Sequence, residues 1–131
     1  VNDDEHDDST DRAERRHRRS GADSHRVIRG RRWRVSDPAL DDEVRQHLVD
    51  ELMDARRAVK SALGTDDASA EQHARSRVHD AKVALGERGP QWWAPIADDD
   101  AQQRLDAFVR AIGTRRGSVP DDDAARRLLA L

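Results

Sequence analysis

The chain has 131 residues, 39% of them charged, yet its formal net charge is only −3 and its mean hydropathy is −1.02. Leu, Ile, Val and Phe number 23, a share just under the ~20% below which compositions tend to disorder, so there is room for one thin-cored domain with tails. Cysteine is absent and no run of about 18 apolar residues occurs, which excludes disulfides, cysteine-ligated metal centres, thiol nucleophiles and a membrane-spanning helix.

Charge divides the first third sharply. Residues 1–11 hold six acids and no base, whereas residues 12–34 hold ten arginines against Glu14 and Asp23. Up to residue 24 the only sizeable apolar side chain is Val1, so burial does not offset the entropy of ordering and a disordered charged tail is expected over 1–24. No apolar stretch of a secretory signal opens the chain, and the cytoplasm is the default location.

From residue 25 to 35 the β-formers Val27, Ile28, Trp33 and Val35 flank Arg29-Gly30, a pattern that predicts a short β-hairpin with a two-residue turn. Such a pair is marginal alone and needs the helices beneath it. A helix follows, with Asp37 as its N-cap and Pro38 at its first position, where the missing N–H is harmless. Its apolar stripe is Leu40, Val44, Leu48, Leu52, Ala55, Val59 and Leu63, widened by Val49 and Met53, with Gly64 as the stop. The polar turn 64–67 leads to a second helix striped by Ala70, Ala74, Val78, Ala81 and Leu85, ending at Gly86 or at Gly89-Pro90. So short a connection favours antiparallel neighbours, and alanine on the second stripe allows close approach. A third helix is expected over 98–113, with Ala101, Leu105, Phe108, Val109 and Ile112 on one face, and a short fourth from Pro120 with Leu128, Leu129 and Leu131.

The predicted fold is therefore mainly all-α: an antiparallel helical hairpin over 38–86, one or two further helices, a short β-hairpin near 25–35 and a disordered N-terminus. Three regions are expected, namely a charged tail (1–24), a helical-hairpin unit with its strand pair (25–93) and loosely attached C-terminal helices (94–131).

Catalytic signatures are missing. Acidic clusters at residues 41–43, 66–67, 98–100 and 121–123 each open a predicted helix, where carboxylates satisfy free N–H groups and complement the macrodipole. They lack the spacing of a calcium loop. No histidine pair stands at i, i+4, and nucleophile-elbow and phosphate-loop motifs do not occur. Accordingly no catalytic residue, metal site, cofactor or small-molecule substrate is expected, and the chain reads as a non-enzyme.

Two features point to binding. The first is the arginine-rich arm, with Arg15, Arg16, Arg18, Arg19, Arg31, Arg32 and Arg34 as candidate phosphate contacts and Trp33 as a stacking aromatic. Against it stand the adjacent acids, which screen it in cis, and a pI near 6.1, below that of a committed nucleic-acid binder. The second is the Trp92-Trp93 pair beside Arg88. Adjacent side chains point in different directions, so one tryptophan is expected to plug the end of the helical hairpin and the other to anchor a partner.

The ordered combination Gly30-Arg31-Arg32-Trp33-Arg34 with Asp37-Pro38, Glu51-Leu52-Met53, Ala55-Arg56-Arg57-Ala58-Val59 and Ala81-Lys82-Val83-Ala84-Leu85-Gly86-Glu87-Arg88-Gly89 with Trp92-Trp93 resembles a family of small uncharacterised proteins from high-GC Gram-positive bacteria. Some of these carry a label linking them to Tol-type biopolymer transport, although neither a membrane anchor nor an export signal is expected from these residues. The resemblance spans about 25–93 and implies that Trp33, the helical hairpin and the double tryptophan form one unit. The leading expectation is protein–protein binding, including self-association, through Trp33, Trp92, Trp93 and Arg88. Nucleic-acid binding through the 12–34 arm is the alternative.

Overall fold

The structure is a computed structural model and describes residues 11, 12, 14–16, 24–116 and 120–131. Most of the segment expected to be disordered, with Arg18 and Arg19, lies outside the described residues. Two strands, β1 (His25–Ile28) and β2 (Arg31–Arg34), precede helices α1 (Asp42–Gly64), α2 (Ala68–Leu85), α3 (Asp98–Arg116) and α4 (Asp122–Leu129). The mainly helical fold with a small antiparallel strand pair is as the residue patterns predict. Among the described residues no helix is long and apolar enough to cross a membrane.

The strand pair closes through Arg29 and Gly30, both at positive φ (53° and 79°), the backbone that a two-residue turn matched to right-handed strand twist requires. His25 stands opposite Arg34, Arg26 opposite Trp33, Val27 opposite Arg32 and Ile28 opposite Arg31. Directly opposed residues share a face, so Arg26, Ile28, Arg31 and Trp33 form one face and His25, Val27, Arg32 and Arg34 the other.

Helix α1 begins at Asp42, later than Asp37-Pro38 suggests. The Asp37 carboxylate accepts the Ala39 N–H at 2.9 Å, and its carbonyl accepts the Leu40 N–H at 3.2 Å. Asp37 thus builds its own tight turn, and Asp41 becomes the residue before the helix, making no side-chain cap bond. At the far end the left-handed residue is Asp66 (φ 54°), while Gly64 stays helical. The capping reading holds at Asp67 and Asp121, whose side chains accept the N–H groups of Ala70 and Ala124. Gly86 ends α2 in the left-handed conformation, with the Gly86 and Glu87 N–H groups bonded to Val83 and Lys82. Helix α3 runs past Gly113 to Arg116.

Helix α2 packs along α1, α3 covers both, and α4 lies on α3. Leu40, Val44, Leu48 and Leu52 meet Ala81, Ala84 and Leu85 in a cluster completed by Leu105, Phe108, Ile112 and Leu129. The C-terminal helices are therefore part of the single core, not the loose attachment expected for 94–131. They are held because two helices with one apolar stripe each leave a face uncovered, which Phe108 and Leu105 close. The stripe of α1 runs out before its end, and Leu63 is 56% exposed. Across the α1–α2 seam, buried Glu51 accepts two bonds of 2.9 Å from Arg77. That contact holds the Arg77 guanidinium above its ordinary value, and no apolar periodicity would have announced it.

A core this small responds sharply to truncation. Phe108→Ala is expected to lower unfolding free energy by about 3–5 kcal/mol, whereas Leu63→Ser stays within about 0.5 kcal/mol of the parent. Urea unfolding followed by helix circular dichroism checks both.

Candidate functional site

A fully buried carboxylate lies beneath the strand pair. Asp37 takes the Ala39 N–H, the Nη1 of Arg104 at 2.7 Å, and Arg16, whose Nη2 reaches it at 2.5 Å and Nε at 3.1 Å. Arg104, itself buried, also donates to the Ala84 carbonyl at 3.1 and 3.3 Å. The Asp37 N–H bonds the Leu85 carbonyl at 2.8 Å. One carboxylate therefore joins the linker after β2, the end of α2, the middle of α3 and the helical residues 14–16. Burial pushes the Asp37 carboxyl up, but Arg104, Arg16 and the Ala39 N–H together bring it below its ordinary value. Arg104 keeps its charge despite burial because a guanidinium starts so high.

Arg12 and Arg16 of the arginine arm are structural. Arg12 donates to the carbonyls of Arg127 (2.6 Å) and Leu128 (2.8 Å), and Arg16 to those of Leu129 (3.0 Å) and Ala130 (3.1 Å). Two arginines one helical turn apart thus bind four successive carbonyls at the C-terminal end of α4. Those carbonyls carry the negative end of the helix dipole and need donors. The tail reading fails for residues 11, 12 and 14–16, which are helical, because the donors are spent inside the fold.

The double tryptophan divides as its geometry demands. Trp92 is only 2% exposed and donates its indole N–H to the Val35 carbonyl at 2.9 Å. Its Cδ1 lies only 3.0 Å from where a Cβ on Gly86 would stand, so the left-handed glycine also makes room for the ring. Trp92 belongs to the core, which corrects its assignment to partner binding. Trp93 is half-buried and meets Trp92 edge-on at 5.4 Å and His25 at 5.3 Å, with the Arg34 guanidinium 5.2 Å from its ring. It anchors the strand pair to the helices. Arg34 donates to the Gly89 carbonyl as well, so neither Arg16 nor Arg34 is a free phosphate contact.

What stays outside is concentrated on the strand pair. Val27, Ile28 and Trp33 are 67%, 48% and 39% exposed, and Arg15, Arg31, Arg32 and Arg88 are exposed too. Arg31 stacks on the Trp33 ring at 4.5 Å, and Lys82 of α2 approaches that ring at 5.5 Å. Arg88 contacts His79 of α2 and does not line the groove beside Trp33. The face carrying Arg26, Ile28, Arg31 and Trp33 looks onto Arg56 of α1 and Lys82 of α2 across an open groove. Residue patterns identified Trp33 and Arg31 but missed Arg56, Lys82, Arg26 and the buried Asp37–Arg104 pair. The pair lies 67 positions apart with no local signature. The skew of only two lysines among 24 basic residues is the one trace that sets Lys82 apart. Among the described residues no group of three or more His, Asp or Glu side chains converges as a metal site. No protein-family model, no curated protein and no solved structure matches the chain.

Asp37 is the residue whose change tests this arrangement. Asp37→Asn leaves Arg104 buried without its counter-charge and is expected to cost about 3–5 kcal/mol. Because the folded carboxyl sits below its unfolded value, its contribution is complete above about pH 4 and fades as pH falls through the lower folded value. Thermal melts from pH 2 to 6 should show a steeper acid loss of stability in the parent than in the Asn variant.

Proposed function

We propose that this chain is a non-enzymatic, cytoplasmic protein-binding module whose contact surface is the exposed strand pair. The observation that carries the reading is the placement of Val27, Ile28 and Trp33 in water on one small hairpin, in a chain with so few large apolar residues to spend. Exposed apolar side chains gathered in one place mark interaction sites more often than scattered ones do. Trp33 is the natural anchor, since tryptophan dominates interface hot spots. The edges of a two-stranded sheet also carry unpaired backbone groups that a partner strand or a second copy can use. Trp92 drops out of the proposed surface, Trp93 supports it from behind, and Arg88 lies outside it.

The test is sedimentation velocity together with affinity capture of partners. Trp33→Ala is expected to abolish the dimer or weaken the partner complex by about 30-fold, the scale of a ~2 kcal/mol hot spot, with helix content unchanged. Trp92→Ala instead lowers the melting temperature. A monomer whose captured partners are indifferent to Trp33→Ala overturns the reading.

One observation favours nucleic acid as a second reading: Arg26, Arg29, Arg31 and Arg32 are all exposed around Trp33. Under it, binding to generic single-stranded DNA falls steeply with salt, and each of Arg31→Gln and Arg32→Gln removes about one unit of the log–log slope. Absence of binding at low salt ends it.

A further inference from the structure

The groove under the strand pair has a chemistry of its own. It encloses about 750 Å³, and its walls are the Arg26, Ile28 and Trp33 face of the sheet, the linker 34–38, the start of α1, Arg56 and Lys82. A concavity of about 500 Å³ shares Ile28, Trp33 and Arg56 with it and adds Arg29 and Arg31, with no acid in its wall. Volumes of this size match those of ligand clefts. Apolar surface lies at the centre, on Trp33 and Ile28, and cations ring it.

The acids at the margin are fewer than the cations. Asp37 is taken by Arg16 and Arg104, which leaves Asp42 and Glu87 against Arg15, Arg26, Arg34, Arg45, Arg56 and Lys82 in the same wall. Among the described residues neither Arg56 nor Lys82 has an ion-pair partner. Lys82 registers the imbalance. Burial lowers its ammonium below the ordinary value, and the positive charges of Arg88, Arg56 and Arg31 lower it further, with Glu87 opposing them. Cations crowded in a half-sheltered groove repel one another, and an anionic occupant relieves that repulsion.

We propose that this groove receives an acidic, extended segment of a partner protein, its carboxylates set against Arg56, Lys82 and Arg26 and an apolar side chain seated on Trp33 and Ile28. The proposal rests on the protein-binding reading above and deepens it by naming the partner's chemistry. A peptide fits better than a nucleic-acid strand because of the charge along the groove's wall. Asp42, at the start of α1, stands in that wall and repels a continuous phosphate backbone, whereas a peptide places its charges singly and can set a neutral residue there.

The experiment is a fluorescence-anisotropy titration of the full chain with labelled twelve-residue peptides. One alternates Asp or Glu with Leu, a second replaces the acids by Asn and Gln, and single-stranded oligothymidine serves as the polyphosphate probe. The acidic peptide is expected to bind with an affinity that falls with salt. Arg56→Gln with Lys82→Gln should weaken it at least tenfold. Independently of any variant, saturation with the acidic peptide should raise the Lys82 titration midpoint followed by NMR of its side chain. Equal binding of the neutral peptide overturns the charge assignment while leaving a binding hairpin in place. Tighter binding of oligothymidine with the same dependence on Arg56 and Lys82 overturns it in favour of nucleic acid. No binding of the acidic peptide at millimolar concentration also ends the proposal, whereas the broader reading stands or falls separately on Trp33→Ala.

Discussion

Burying a carboxylate in a domain this small is tolerable only if every lone pair and the full charge find partners, and the rest of the structure is arranged around meeting that demand at Asp37. Two guanidiniums and a backbone N–H do so, and each comes from a different part of the chain. Arg104 brings α3 and, through Ala84, the end of α2. Arg16 brings residues 14–16 and, through Leu129 and Ala130, the end of α4. The pair is weak as a source of net stability, because desolvation takes back most of the Coulomb attraction. Its value is positional: it ties these segments together at the one point where all three charges meet.

The apolar core explains why such a device is useful here. Its seam between α1 and α2 sets leucines against alanines, which brings the helix axes close but buries modest area per residue. Directional contacts, namely Glu51 with Arg77 and Asp37 with its arginines, then select one register among several that a sparse apolar seam would tolerate. A chain short of large hydrophobes also has few to leave in water. That gives weight to the exposure of Val27, Ile28 and Trp33, since a trio outside the core is a substantial fraction of the supply.

Helical stripes, the turn at Arg29-Gly30, the stop at Gly86 and the caps at Asp67 and Asp121 were legible because each depends on neighbours within a few residues. Asp37 was misread for an instructive reason. Asp-Pro is a good helix start by local rules, and the side chain does accept a nearby N–H, but two distant cations make the aspartate the centre of the fold instead. The arm was misread in the same way. Arginine clusters without apolar neighbours resemble solvated tails, and only the geometry of α4 reveals that Arg12 and Arg16 are four residues apart to match four terminal carbonyls. Of the tryptophans, sequence adjacency showed only that the two would meet different surroundings. It did not show which would be buried, because that choice is made by the space that Gly86 leaves for Trp92.

These features converge on the groove. Its floor and one wall are the linker 34–38, the same stretch that Asp37 fastens to α2 and α3 and that Trp92 holds through the Val35 carbonyl. The strand pair makes no extensive contact with any helix, so its position over Arg56 and Lys82 is inherited from that linker and from Trp93. Arg16 therefore acts on the groove without lining it, by holding Asp37, while Arg15 beside it lines the edge. Among the described helical residues 12 and 14–16 the arginines are thus divided by direction: Arg12 and Arg16 turn inward to neutralise a helix end and a buried acid, and Arg15 turns towards the groove. Cations that find partners inside the fold stabilise it, and those left around Trp33 and Lys82 are the ones the proposed acidic segment would neutralise.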